Sequence, residues 1–140
     1  MPTLFTRIIN GELPGRFIYR DALCVAFMTI HPLKPGHALV VPIEEVEHWI
    51  DLTPALNAHL IQVAQQLGRA QQTVFQPEKV GLLIAGLEVP HVHLHVVPIE
   101  TSSDLNFANA NTRATGEAIE EAAQKLRNAL RAQGVAGVTG

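Results

Sequence analysis

Three of the chain's seven histidines fall within five residues, in the run "HVHLHVV" that begins at His91. Side chains two apart share one face of an extended chain. The spacing therefore predicts a strand with His91, His93 and His95 on one side and Val92, Leu94 and Val96 on the other. The apolar side can face a core. The imidazole side needs a polar partner for every ring, which is costly to arrange for packing alone. On the residues themselves three readings stay open: packed histidines, a metal site and a catalytic row. Two neighbouring rings can lean toward one ion, but the outer Cα atoms of the three lie about 13 Å apart in a straight strand. Zinc–nitrogen bonds are about 2 Å long, so His37 would be an easier third ligand than the far end of the row. For catalysis, imidazole serves as nucleophile, base or orienter according to which nitrogen holds the proton. Phosphorus is a fitting target, because a phosphoryl group on imidazole divides one displacement into two easier ones. Backbone N–H groups between Gly86 and Val89 stand where they can bond non-bridging oxygens. The chain has no Walker-type Gly-rich loop.

The row must be positioned by the rest of the chain. "TLFTRIINGELP" reads as a short helix stopped at Gly11, and "RFIYRD" and "LCVAFMTI" as strands around a turn at Asp21. "HPLKPG" holds two prolines and a glycine and is a turn. "HALVVPI" follows as a buried strand, which brings Thr29, Ile30 and His37 near one another. The clearest helix starts at Thr53, a good cap, with Pro54 in its first turn. Leu56, Leu60, Val63 and Leu67 trace its apolar face. His59 lies beside that stripe and suits a solvated or packing role. After Gln76-Pro77, "KVGLLIAG" is a strand and "LEVP" leads into the histidine run. A polar, irregular segment then precedes a last helix capped by Thr115, and residues 131–140 are expected to fray. The expected fold class is α+β in one domain, residues 1–140, with an antiparallel sheet of about five strands and flanking helices.

Composition narrows the partners. With 47% hydrophobic and 16% charged residues and a formal charge of −3, the chain is globular rather than disordered. The mild acidity gives no broad pull toward nucleic acid or anionic membrane. The single cysteine, Cys24, sits among apolar residues, which suits a buried thiol and rules out an intrachain disulfide. No basic segment followed by a long apolar run opens the chain, and no stretch approaches about 18 apolar residues. Cytoplasmic residence is the default expectation.

The residues also resemble a family. "HVHLHVV" has the His-φ-His-φ-His-φ-φ form, φ being apolar, of the histidine-triad (HIT) superfamily of nucleotide hydrolases and transferases. "LFTRIINGELP" is similar to its opening helix, and "VAFMTIHPLKPGHALVVP" to its D-I-x-P-x-x-x-G-H-x-L-V-x-P segment. The likeness covers residues 3 to 99. It implies that His93 is the nucleophile that carries a nucleoside phosphate, that His95 orients and polarises it, and that His91 and His37 support the site. It also implies that Ile8, Phe27 and Ile30, with Phe5, line a base and sugar pocket. The implied molecule is a homodimer that acts on a nucleotide-type substrate and calls for no cofactor.

This chain departs from the family's pattern in three places. Thr29 stands where an aspartate often grips ribose hydroxyls, and Leu87-Glu88-Val89 stands where Gln-Ser-Val or Gln-Thr-Val is common. An Asn-x-Gly stretch is replaced by the shorter "IAG". Glu88 donates no proton unless protonated and, when ionised, repels phosphate unless it points away. Thr3 and Thr6 occupy the places where some bacterial members carry Cys-x-x-Cys for a structural zinc, so no such zinc is expected, and His48 suits a surface or loop-packing role. The expected activity is hydrolysis or transfer at a nucleoside monophosphate ester or phosphoramidate. A catalytically weak nucleotide sensor and, further off, a histidine metal module are the alternatives.

Overall fold

The computed structural model describes every residue from Met1 to Gly140. Five strands form one antiparallel sheet in the order β1-β2-β3-β5-β4: β1 Phe17–Arg20, β2 Cys24–Met28, β3 Ala38–Pro42, β4 Lys79–Leu83 and β5 Leu94–Ile99. The helices are α1 Leu4–Ile9, α2 Pro54–Phe75 and α3 Gly116–Ala132, giving the expected α+β architecture. No helix is long and apolar enough to cross a membrane.

Side-chain alternation divides the sheet into two unlike faces. Ala26, Val40, Leu94 and Val96 meet α2 and α3 in the larger core, where Leu56, Leu60, Val63, Leu67, Ile119, Leu126 and Leu130 are buried. The helix face read from the sequence is thus the face that packs, and truncating Leu60 or Leu126 to alanine costs about 2–5 kcal/mol. Val25, Phe27, Leu39 and Val41 occupy the opposite sheet face and pack with Phe5 and Ile9 of α1. The histidine row belongs to this second face.

Two expectations need correction. Strand β5 begins at Leu94, so His91 and His93 precede the ladder although their neighbours alternate as predicted. Pro42, at the end of β3, lacks an N–H for further pairing; its carbonyl takes the ring of His91 instead, and Val92 N–H donates to Val46 C=O. The C-terminal segment does not fray either. Arg20 N–H donates to Gly137 C=O at 2.9 Å and Thr139 N–H to Ile18 C=O at 3.2 Å, so the tail lies along β1. An edge strand has unpaired backbone groups to offer, and Gly137, at φ +88°, fits a backbone that a Cβ would drive into the Arg20 carbonyl.

Candidate active site

The four histidines named from the sequence converge, and all are buried: His91 and His37 almost fully, His93 and His95 nearly so. His37 is placed by the Pro/Gly turn. Gly36 has φ +92°, and a Cβ there would lie 2.2 Å from the Phe75 ring, so only glycine lets this turn sit against α2. Gln71 of α2 holds the turn from below, its amide donating to Gly36 C=O at 2.9 Å and to Val96 C=O at 2.8 Å.

Hydrogen-bond partners determine where each imidazole proton resides. Leu33 N–H donates to Nδ1 of His37 at 3.0 Å, so that nitrogen is bare and the proton of the neutral ring is on Nε2. Nε2 of His37 lies 2.9 Å from Nδ1 of His95 and donates to it. The remaining nitrogen of His95, Nε2, therefore carries an N–H. His93 runs the other way. Its Nδ1 lies 2.7 Å from the His91 carbonyl, which can only accept, so Nδ1–H donates and Nε2 keeps a free lone pair. His91 is fixed in the same manner: Nε2–H donates to Pro42 C=O at 2.7 Å, and Nδ1 accepts from the Thr3 hydroxyl at 2.7 Å.

This assignment requires neutral rings, and burial supplies that condition. Desolvation pushes the pKa of His37 down to about 3, with the neighbouring His95 and His93 adding to the effect. His95 is pushed down to about 4, by burial first and by His93 second. Burial also lowers His93 and His91, against the raising effect of the carbonyls they bond. A bare nitrogen on His93 and an N–H donor on His95 thus belong to neighbouring rings whose centroids are 4.9 Å apart.

The orienting bond on His93 comes from the His91 carbonyl, whereas His95 contributes an edge-to-face contact and is itself oriented by His37. On its other side His93 meets Phe5, edge to face at 4.8 Å, and Phe5 in turn meets Phe27 at 5.6 Å. Ile8 and Val89 pack, half-buried, against this apolar cluster. Phe5, Ile8, Phe27 and Val89 are therefore brought together beside the row. Ile30 is not joined to them, being 71% exposed. The Thr29 hydroxyl accepts from His31 N–H in its own turn. Glu88 is exposed, and its charge exerts a small upward pull on His93 that burial outweighs.

Phe107 is absent from the sequence reading. It lies in a short helical turn, Phe107–Asn109, of the polar segment that was expected to be irregular, and its ring meets that of His95 at 4.9 Å. The segment is fixed by Asp104 accepting from Glu100 and Thr101 N–H, by Asn109 donating to Ser103 C=O and by Asn111 N–H donating to Pro32 C=O. A lone aromatic in a polar stretch was the available signal. Thr3 proves to be both the cap of α1, accepting from Thr6 N–H, and the partner of His91.

The HIT domain model matches residues 10–102. The chain belongs to the HIT family. An uncharacterized HIT-like protein of Mycobacterium tuberculosis is 33% identical over 97% of this chain and 98% of its own length. The crystal structure of a zinc-bound histidine triad family protein from Mycobacterium smegmatis superposes with a TM-score of 0.80, at 28% identity, covering 94% of each chain. The asymmetrical bis(5'-nucleosyl)-tetraphosphatase of Schizosaccharomyces pombe is 35% identical over 60% of this HIT chain and 49% of its own. At Thr3, Thr6 and His91 this chain offers two hydroxyls and an imidazole whose Nδ1 is already bonded, a set that does not suit zinc.

Proposed function

We propose that this HIT protein cleaves a nucleoside monophosphate ester or phosphoramidate through a covalent phospho-histidine intermediate on His93. The observation that carries this reading is the opposed pair of ring nitrogens: a bare Nε2 on His93 and an N–H donor at Nε2 of His95. His93 Nε2 attacks phosphorus, the bond from phosphorus to the leaving oxygen or nitrogen breaks, and the leaving group takes a proton from solvent. The ring becomes cationic as the P–N bond forms, and the His91 carbonyl on Nδ1–H stabilises that charge. His95 donates its N–H to a phosphoryl oxygen without giving up the proton. Water then attacks phosphorus and gives up a proton to solvent, the P–Nε2 bond breaks, and the nucleotide leaves. Phe5, Ile8, Phe27 and Val89 supply the apolar wall for the nucleoside.

The test is turnover of adenosine 5'-phosphoramidate by the wild-type protein and His93→Ala, with mass spectrometry of acid-free quenched samples for the nucleotidyl adduct. Loss of turnover by at least about a thousandfold, as expected for removing a nucleophile, together with loss of the adduct, supports the assignment. Full activity in His93→Ala refutes it. Tight binding of adenosine monophosphate with no turnover of any phosphoramidate or dinucleoside polyphosphate would make the chain a nucleotide-binding protein instead.

A further inference from the structure

A second group of chemically capable side chains lies on the sheet face opposite the histidine row. Cys24, the first residue of β2, is fully buried in the core beneath α2. Asp21 is in the turn between β1 and β2, and His59 is in the second turn of α2. Asp21 Oδ2 lies 2.7 Å from His59 Nε2 and 3.9 Å from Cys24 Sγ, and the three atoms all fall within 4.8 Å of one another. They come from three separate elements, and each is a group that zinc accepts.

We propose that Asp21, Cys24 and His59 form a binding site for a borderline-soft divalent cation, Zn²⁺ being the best match. Ligand distances of about 2.0–2.3 Å place neighbouring ligand atoms of a tetrahedral site some 3.3–3.8 Å apart. The 3.9 Å between Asp21 and Cys24 is already close to that range. The 2.7 Å between Asp21 and His59 must open by about 0.6–1.1 Å, and His59 must approach Cys24 from a spacing of at most 4.8 Å. An exposed rim gives His59 room to move: its side chain is 28% exposed and that of Asp21 24%. The same opening leaves a fourth position to water. A carboxylate and a thiolate cancel the charge of the ion, and Asp21 has no Lys or Arg partner that would compete.

The outer shell is already in place. Asp21 Oδ1 accepts from the backbone N–H groups of Leu23 and Cys24, and Oδ2 accepts from the Tyr19 hydroxyl. Hydrogen bonds of this kind hold a ligating carboxylate in position. On binding, the Cys24 S–H proton is released to solvent as the metal–sulfur bond forms. The His59 proton moves from Nε2 to Nδ1, and Nε2 takes the metal in place of Asp21. The bound ion would clasp the β1–β2 turn to α2.

The experiment uses the full chain, reduced with a phosphine and titrated with Co²⁺. Cys24 is the only cysteine, so a sulfur-to-cobalt charge-transfer band in the near ultraviolet can arise only there, whatever the triad histidines bind. The expected result is that band, saturating at one equivalent, bleached by Zn²⁺ and retained in His93→Ala. His59→Ala, a change at the rim, should weaken cobalt binding by more than the roughly 10–100-fold typical of losing an outer-shell partner. Saturation with Co²⁺ without a sulfur band overturns the proposal, as does an unchanged affinity in His59→Ala.

Discussion

Acid should unfold this protein through its buried histidines, and the size of the effect follows from their burial. In an unfolded chain both His37 and His95 titrate near 6.5, whereas in the folded molecule they are pushed down to about 3 and about 4. At pH 5 the folded rings are still neutral and the unfolded ones are protonated. The unfolded state then binds more protons, so stability falls as pH falls from above 6.5 toward the folded pKa values. Down to pH 5 each ring has about 1.5 units in which only the unfolded form is charged, worth about 2 kcal/mol at about 1.4 kcal/mol per unit. The pair therefore removes about 4 kcal/mol between pH 7 and pH 5, a large share of the roughly 5–15 kcal/mol of an ordinary domain. His91 and His93 shift in the same direction and add to it. The carboxyl of Asp21, held at about 2, titrates below this window, its hydrogen bonds outweighing a burial effect that works the other way. Urea unfolding followed by circular dichroism at the two pH values measures the difference, and His37→Gln should cut it by about half because glutamine does not titrate. Equal stability at pH 5 and pH 7, or a full loss in His37→Gln, would refute the assignment of neutral rings.

Phe107→Ala removes the ring that meets His95 and should lower kcat/KM roughly twofold to tenfold, from about 0.5–1.5 kcal/mol of aromatic contact. Stability should change little, since Phe107 is exposed; steady-state assays and thermal melts separate the two effects. Thr3→Val leaves Nδ1 of His91 without its donor and should cost about 1–3 kcal/mol in a denaturant melt, while Thr3→Ser keeps the hydroxyl and most of the stability. Gly36→Ala puts a Cβ into the Phe75 ring at a φ that alanine resists. It should displace His37, losing at least about 2 kcal/mol of stability together with activity, whereas the same change at Gly134, where nothing lies within 4 Å of the added carbon, tests φ alone.

The fold was legible where side-chain pattern meets a core. The α2 stripe, the Thr53 cap with Pro54 behind it and the apolar strand runs each state their partner in the sequence itself. The site was legible as residue types, because three alternating histidines beside a Gly36-His37 turn have few structural uses. What could not be read was which atom bonds which. The tautomer of His95 depends on Leu33 N–H, sixty-two positions away in sequence, acting through His37. Phe107 reaches His95 only because the segment from Thr101 to Asn111 folds back through side-chain caps that no periodicity reveals. The tail departs from expectation for a related reason: a chain end usually lacks partners, but β1 is the sheet's edge and supplies the bonds that order it.

These long-range bonds give the site a polarity that the alternating histidines alone lack. Viewed as side chains, His91, His93 and His95 are chemically identical. They become acceptor and donor because one end of the row is fixed by groups that can only accept and the other by a group that only donates. The carbonyls of Pro42 and His91 force protons onto His91 Nε2 and His93 Nδ1, while Leu33 N–H forces the opposite arrangement through His37 to His95. Reversing the second chain would place a lone pair at both His93 and His95; in the proposed reaction these would be two acceptors facing an anionic phosphate, with no donor left for the phosphoryl oxygen. Cutting it at His37 leaves the choice of tautomer at His95 to solvent. In the proposed reaction the loss in His37→Leu, which offers His95 no donor, should therefore fall mainly on kcat, since the donor matters most where charge accumulates on the phosphoryl oxygens in the transition state.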